Sequence, residues 1–261
     1  MKSFIKYTMA TVVGIFLTMT LFTIISIISL AGMMATEGMS APIKEKSILR
    51  LDLSGTLAER SDSNPFAALM GEENTALSLE DALLALDKAA KNDNIIGVYL
   101  EGGAMGANPG MAQELRQALV EFKESGKWVV AYGDSYGKTA YYLSSVADSV
   151  LLNPEGNVDF GGMASQIMFY KDVMEKIGVK MQVFKVGTYK SAVEPFICTE
   201  MSPANREQVT SYLFSIWTNM LKDVAESRNM EVGKLNSLAD SLTMISEASV
   251  ALNGGLVDKL C

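Results

Sequence analysis

The hydrophobic pattern of the chain falls into two regimes. Residues 7–35 contain no charged side chain and consist mostly of Ile, Leu, Val, Phe, Met and Thr. About 20 such residues in a helix cross the hydrocarbon core of a bilayer, so this run predicts a tilted transmembrane anchor. The rival reading is a cleaved signal peptide, whose apolar core is about 7–15 residues long and ends at a small-x-small site. Here the run is longer and no convincing cleavage site follows, which favours the uncleaved anchor. Lys2 and Lys6 precede it. By the positive-inside rule residues 1–6 are then a cytoplasmic tail, and everything beyond the anchor lies outside the cytoplasm. Residues 36–46 read as a short polar linker.

From residue 47 the pattern becomes short and alternating. In "SILRLDLSG", Leu49, Leu51 and Leu53 alternate with Arg50 and Asp52, the period of a half-buried strand. Residues 58–77, including "ERSDSNPF", are irregular and read as a loop. Ser78 with Asp81 three residues on is a variant capping box opening the helix "LEDALLALDKAAK". A repeating scheme follows: strand "IIGVYL", glycine-rich loop "EGGAMGANPG", helix "MAQELRQALVEFKESG", strand "KWVVAY", turn "GDSYGK", helix "TAYYLSSVA", strand "DSVLLN". Helix "SQIMFYKDVMEKIG" and strand "VKMQVFKV" (179–186) complete it. Strands alternating with helices predict βαβ units, a largely parallel sheet and an α/β fold class. A last long helix starts at Ser202-Pro203. Its apolar positions Val209, Leu213, Ile216, Trp217, Met220 and Val224 share one face, which reads as core packing, with a partner-binding stripe as the alternative. No second domain, linker or low-complexity tract interrupts residues 47–261.

Composition removes several chemistries. The 261 residues include no histidine, which excludes Ser-His and Cys-His machinery and histidine-bearing metal sites within this chain. Cys198 and Cys261 are far apart and form neither a disulfide framework nor a zinc spacing; no metal and no cofactor is expected. A net charge of −8 argues against nucleic acid as a partner.

Three stretches carry candidate chemistry. "GDSYG" (133–137) matches G-x-S-x-G between a strand and a helix, the context of a nucleophile elbow, but no histidine is available to take the proton of Ser135. A structural turn is the simpler account, with Ser135 kept as an alternative nucleophile. In "EGGAMG" (101–106) the glycines permit a tight strand exit or, with equal standing, an oxyanion hole. In "VGTYKSAVEPF" (186–196), Lys190 follows an apolar run and is flanked by the hydroxyls of Thr188, Tyr189 and Ser191. A lysine serves as a general base only when burial against neutral groups lowers its pKa toward neutrality. Glu194 competes, since a nearby carboxylate would turn Lys190 into half of an ion pair. From the residues alone, a structural lysine is the simpler reading.

The strings "VFKVGTYKSAVEPF", "MSPANREQV", "LVEFKESGKWVVAYGDSYGKTAYYLSS" and "FGGMASQIMFYKDVMEKIGVK" together resemble one family, signal peptide peptidase A (protease IV), in its long two-repeat form. The resemblance covers residues 47–261 as one N-terminal repeat and agrees with the anchor. It implies a ClpP/crotonase-like spiral of βαβ units. It also implies a serine endopeptidase with a Ser-Lys dyad that degrades cleaved signal peptides at the periplasmic face of the cytoplasmic (inner) membrane. The family's general-base lysine falls on Lys190, with Tyr189, Ser191 and Glu194 as supporting residues. Its serine lies in the second repeat, in an S-G-G-Y-W type sequence. Laying Tyr141-Tyr142 on that aromatic pair puts Lys138 where the serine would be. The nucleophile is therefore expected from another repeat or polypeptide, and Gly102 and Gly103 revert to turn residues. An apolar groove for peptide, formed where repeats meet in a ring-like homo-oligomer, is implied as well. Three alternatives stand beside this: a membrane-tethered assembly or binding module without catalytic competence, a crotonase-type acyl-CoA enzyme, and a self-sufficient Ser135–Lys190 dyad.

Overall fold

A computed structural model describes residues 2–37, 42–61, 77–241 and 243–261. The chain divides into two compact units, Met1–Lys44 and Glu45–Cys261.

In the first unit, helix α1 (Lys2–Glu37) is continuous. Its stretch Ser3–Ser29 has a mean hydropathy of 2.3 and no buried residue, and it is long and apolar enough to cross a membrane. Five of its threonine hydroxyls, at positions 8, 11, 18, 20 and 23, are satisfied within the helix. The Oγ1 atoms of Thr8, Thr11, Thr20 and Thr23 donate to the carbonyls of Phe4, Tyr7, Phe16 and Met19 at 2.8–3.0 Å. Such back-bonding is what a polar side chain in hydrocarbon requires.

The second unit is α/β with parallel sheets. Its elements are β1 (Ser47–Asp52), β2 (Gly55–Ala58), β3 (Leu77–Ser78), α2 (Leu79–Lys91), β4 (Ile95–Gly102), β5 (Met105–Gly106), α3 (Pro109–Glu124), β6 (Trp128–Gly133), α4 (Lys138–Ser144) and β7 (Ser149–Leu152). There follow α5 (Lys171–Lys176), a 3₁₀ turn (Ser191–Val193), α6 (Glu194–Ile197), α7 (Pro203–Arg228), α8 (Val232–Asp240), α9 (Ala248–Gly254) and β8 (Lys259–Leu260). Strands order as β1-β4-β6-β7-β8 in the larger sheet and β3-β2-β5 in the smaller, and all pairs are parallel. Parallel neighbours need crossovers, which α2, α3 and α4 supply. Val98, Leu100, Val129, Ala131, Val150 and Leu152 from the sheet and Leu115 and Leu119 from α3 are fully buried, so the core lies between sheet and helices.

The caps form as the sequence predicts. Ser78 Oγ accepts from Asp81 N–H at the start of α2, and Ser202 Oγ accepts from Asn205 N–H at the start of α7. Gly126, in the left-handed region at φ +80°, closes α3.

Two predicted elements are corrected. The helix expected over 165–178 shrinks to Lys171–Lys176. The strand expected over 179–186 is absent, because among the described residues no strand lies beside it to complete a ladder. Its side chains are correspondingly bare: Phe184 is 92% and Val186 89% exposed. The loop expected at 58–77 falls mostly on 62–76, outside the described residues.

Candidate functional site

The glycines leaving β4 and β6 face each other. Gly102 pairs with Gly133, and the turn after β6 folds over both. A Cβ at Gly102 would lie 2.3 Å from Tyr136 Cε1. Tyr136 is buried and donates its hydroxyl to Leu151 O at 2.8 Å. Its N–H donates to Asn157 O and its carbonyl accepts from Asp159 N–H. "GDSYG" is thus a junction plugged by a tyrosine, and Gly102 is a space-making turn residue. Ser135 is exposed in that turn and does not line the hollow beside Lys190. Lys138, at the first position of α4, donates to Gly162 O at 2.7 Å.

Lys190 sits just before the 3₁₀ turn, in a loop laid along the first turns of α7. Tyr189 OH donates to Glu207 Oε2 at 3.1 Å, and that hydrogen bond, followed by the carboxylate's charge, pushes the phenol pKa up. Ser191 Oγ donates to Gln208 Oε1 at 3.1 Å. Two of the three hydroxyls expected around the amine, those of Tyr189 and Ser191, are therefore turned to α7. Glu194 is 2% exposed. Its Oε1 accepts from Ser202 Oγ at 2.6 Å, and its Oε2 accepts from Ser202 N–H at 3.2 Å and from Asn205 Nδ2 at 3.0 Å. Chiefly the Ser202 hydroxyl bond holds its pKa below the ordinary glutamate value. Glu194 thus caps α7 from outside, and among the described residues it forms no ion pair with Lys190.

With its neighbours fixed, Lys190 is left between them beside an open hollow of about 460 Å³ lined also by Phe184, Val186, Ala192 and Val193. The expected burial is not present in this chain by itself, since Lys190 is exposed. The apolar run that should wall it off, 179–186, has no partner strand to hold it against anything. Ser202, Asn205, Glu207 and Gln208 were not singled out as site residues. Ser202 is legible as a helix cap, but no sequence signal links it to a carboxylate eight residues upstream.

Comparison with known proteins adds two findings. The model of peptidase family S49 matches residues 121–261, which include the whole Lys190 loop and α7. The chain is 34% identical over 239 residues to Protease 4 of Salmonella typhi, covering 86% of this chain and 39% of that protein. It is 29% identical to the chloroplastic serine protease SPPA of Arabidopsis thaliana, over 71% of this chain and 26% of that protein. It is 23% identical to a putative signal peptide peptidase SppA of Enterococcus faecium, over 86% of this chain and 62% of that protein. The chain spans well under half the length of the first two.

Proposed function

The chain belongs to peptidase family S49, and on that premise we propose that it forms part of a membrane-anchored serine endopeptidase acting on cleaved signal peptides, with Lys190 as general base. The observation that supports this is the Lys190 loop. The hydroxyls of Tyr189 and Ser191 and the nearby carboxylate are engaged by α7, while Lys190 lines an open hollow together with Phe184, Val186, Ala192, Val193 and a second cation, Lys185. In the proposed reaction neutral Lys190 removes the proton of a serine hydroxyl as its oxygen attacks a peptide carbonyl. The lysine then returns that proton to the leaving amine, and water releases the acyl group. The reading places the serine in a second repeat that packs over Phe184 and Val186. That cover supplies the desolvation a base lysine needs, and the cleft between repeats would take the apolar core of a signal peptide. The spiral arrangement of the ClpP/crotonase fold, the ring-like homo-oligomer and an N-terminus held in the cytoplasm belong to the same reading.

The exposure of Lys190 favours a second reading, a tethered assembly module that contributes no reactive group. One experiment separates the two. With the full-length protein in membranes, hydrolysis of an apolar signal-peptide analogue is followed for wild type, Lys190→Ala and Lys190→Arg. Loss of a general base lowers turnover by about 10²–10⁴-fold. Both variants should fall so, with the same thermal melting as wild type. Unchanged turnover would leave the assembly module standing.

A further inference from the structure

We propose that Glu194 is the positioning residue for Lys190, acting as a buried latch that fastens the lysine loop to the N-terminus of α7. The inference rests on the reading of Lys190 as base and goes beyond it, because it assigns the geometry of the amine to a group that never touches substrate.

Three residues separate Lys190 from Glu194, and all three form the 3₁₀ turn Ser191–Val193. That turn passes directly into α6, where Cys198 N–H donates to Glu194 O at 2.8 Å. The backbone from the amine-bearing residue to the carboxylate is therefore nearly all short helical turn, so a shift at Glu194 is transmitted along it. The loop has two other fastenings, Tyr189 to Glu207 and Ser191 to Gln208. Tyr189 and Glu207 are exposed, and exposed pairs hold weakly against competing water. Glu194 differs in kind. It is buried, and its two oxygens take three donors from one cap, the Ser202 hydroxyl, the Ser202 N–H and the Asn205 amide. An ionised carboxylate is acceptor-only and suits three donors. It also sits at the positive end of a 26-residue helix, which favours its charge. Lys185 is the cation whose charge also favours it. On the far side, Tyr170 N–H donates to Pro195 O at 2.6 Å and the rings of Tyr170 and Phe196 stack at 6.0 Å, so the residues after Glu194 are held from a second direction.

Glu194→Gln keeps shape but offers an amide where the carboxylate oxygens accepted. Ser202→Ala removes the shortest of the three latch bonds, the hydroxyl donation at 2.6 Å, from the α7 side. An approach misplaced by about 1 Å can cost a factor near 10² in rate. In the full-length protein, each variant should lower kcat by tens of fold with KM unchanged. Each should also move the acid limb of the kcat–pH profile upward, as a loosened amine regains water. The double variant should lose little more than either single one, since both break one interaction. Wild-type kcat and pH profile in Glu194→Gln would overturn the proposal. So would a fall in melting temperature with activity per folded molecule and pH profile intact, which marks a purely structural carboxylate. Failure of the underlying reading looks different: Lys190→Ala would then stay active.

Discussion

Arg116 shows what one buried charge does for the fold. It is 5% exposed. One guanidinium nitrogen donates to Tyr142 O and to Ser145 Oγ (2.8 Å), the other to Asp223 O (2.6 Å) and Ser227 Oγ (2.5 Å). The group also lies over the Tyr142 ring, 4.7 Å from its centroid, and the Tyr142 hydroxyl donates to the Asp223 carboxylate. Burial pulls the guanidinium pKa down, while Tyr142 and Asp223 oppose it. A guanidinium stays charged regardless, so the site works only because the fork finds acceptors on two elements at once. It thereby ties α3 to the C-terminal end of α4 and to the last turns of α7. Arg116→Met keeps much of the stem and removes every one of these bonds. Losing several hydrogen bonds from a charged donor costs about 2–4 kcal/mol, and about 2–4 °C is lost per kcal/mol in a unit of this size. The melting temperature should therefore drop by roughly 5–15 °C, measurable by circular dichroism. An unchanged melting curve would mean that the guanidinium network contributes no net stability.

At the scale of elements, the second half of α7 is the part that seats. Trp217, Met220, Leu221 and Val224 are buried, whereas Val209, Leu213 and Ile216 are only half-buried and Tyr212 and Phe214 are exposed. The exposed part lies next to the turns that hold the Lys190 loop, and the bare run 179–186 belongs to that same loop. Phe184 and Val186 make little contact within this chain, so Phe184→Ser with Val186→Ser should leave its melting temperature within the small range of surface substitutions. If a second repeat covers them, the same pair should cut peptide hydrolysis strongly; full activity would remove 179–186 from the proposed cover. The split between what the sequence revealed and what it did not follows the same line. β4, β6 and α2 were legible because burial within the chain gives them period, cap and terminator together. The strand expected at 179–186 shows the limit: the run is apolar, but a strand exists only with a neighbour. The site divides likewise. Lys190, the proposed base, is singled out by the motif around it. The latch of Glu194 onto Ser202 and Asn205 was not legible, since hydrogen bonds between a loop and a helix start leave no periodic trace. The expected burial of the lysine failed for the reason the strand did.

The whole folded unit should respond to pH in one direction. Three carboxylates sit at its joints. Asp148 accepts from Val129 N–H at 2.8 Å and pairs with Lys123 at 2.8 Å. Asp258 accepts from Val150 N–H at 2.7 Å and pairs with Arg228 at 2.6 Å. Glu194 closes the cap of α7. Burial raises the pKa of both aspartates, but for Asp148 the bonds from Lys123 and Val129, and for Asp258 those from Arg228 and Val150, outweigh it, so both end below the ordinary value. Glu194 lies below it through Ser202. Free carboxyls of these types titrate near 3.9–4.3. Below that range the unfolded chain binds protons that the folded chain refuses, and stability must fall with pH. Above it the contribution of these groups is complete. The chain has no histidine, and histidine is the side chain whose ordinary pKa falls between about pH 5 and 8. Melting temperature, measured on the full chain in detergent, should therefore be flat from about pH 7 to pH 5 and then fall as the three groups protonate. Asp258→Asn, which cannot titrate, should start from a lower plateau and fall less steeply. A melting temperature that rises between pH 5 and pH 3 would show that repulsion within this acidic chain outweighs the three joints. Because these three joints are complete near neutrality, they contribute no change in stability between about pH 5 and 8, and a change in hydrolysis there that Lys190→Arg abolishes is assigned to the proposed base.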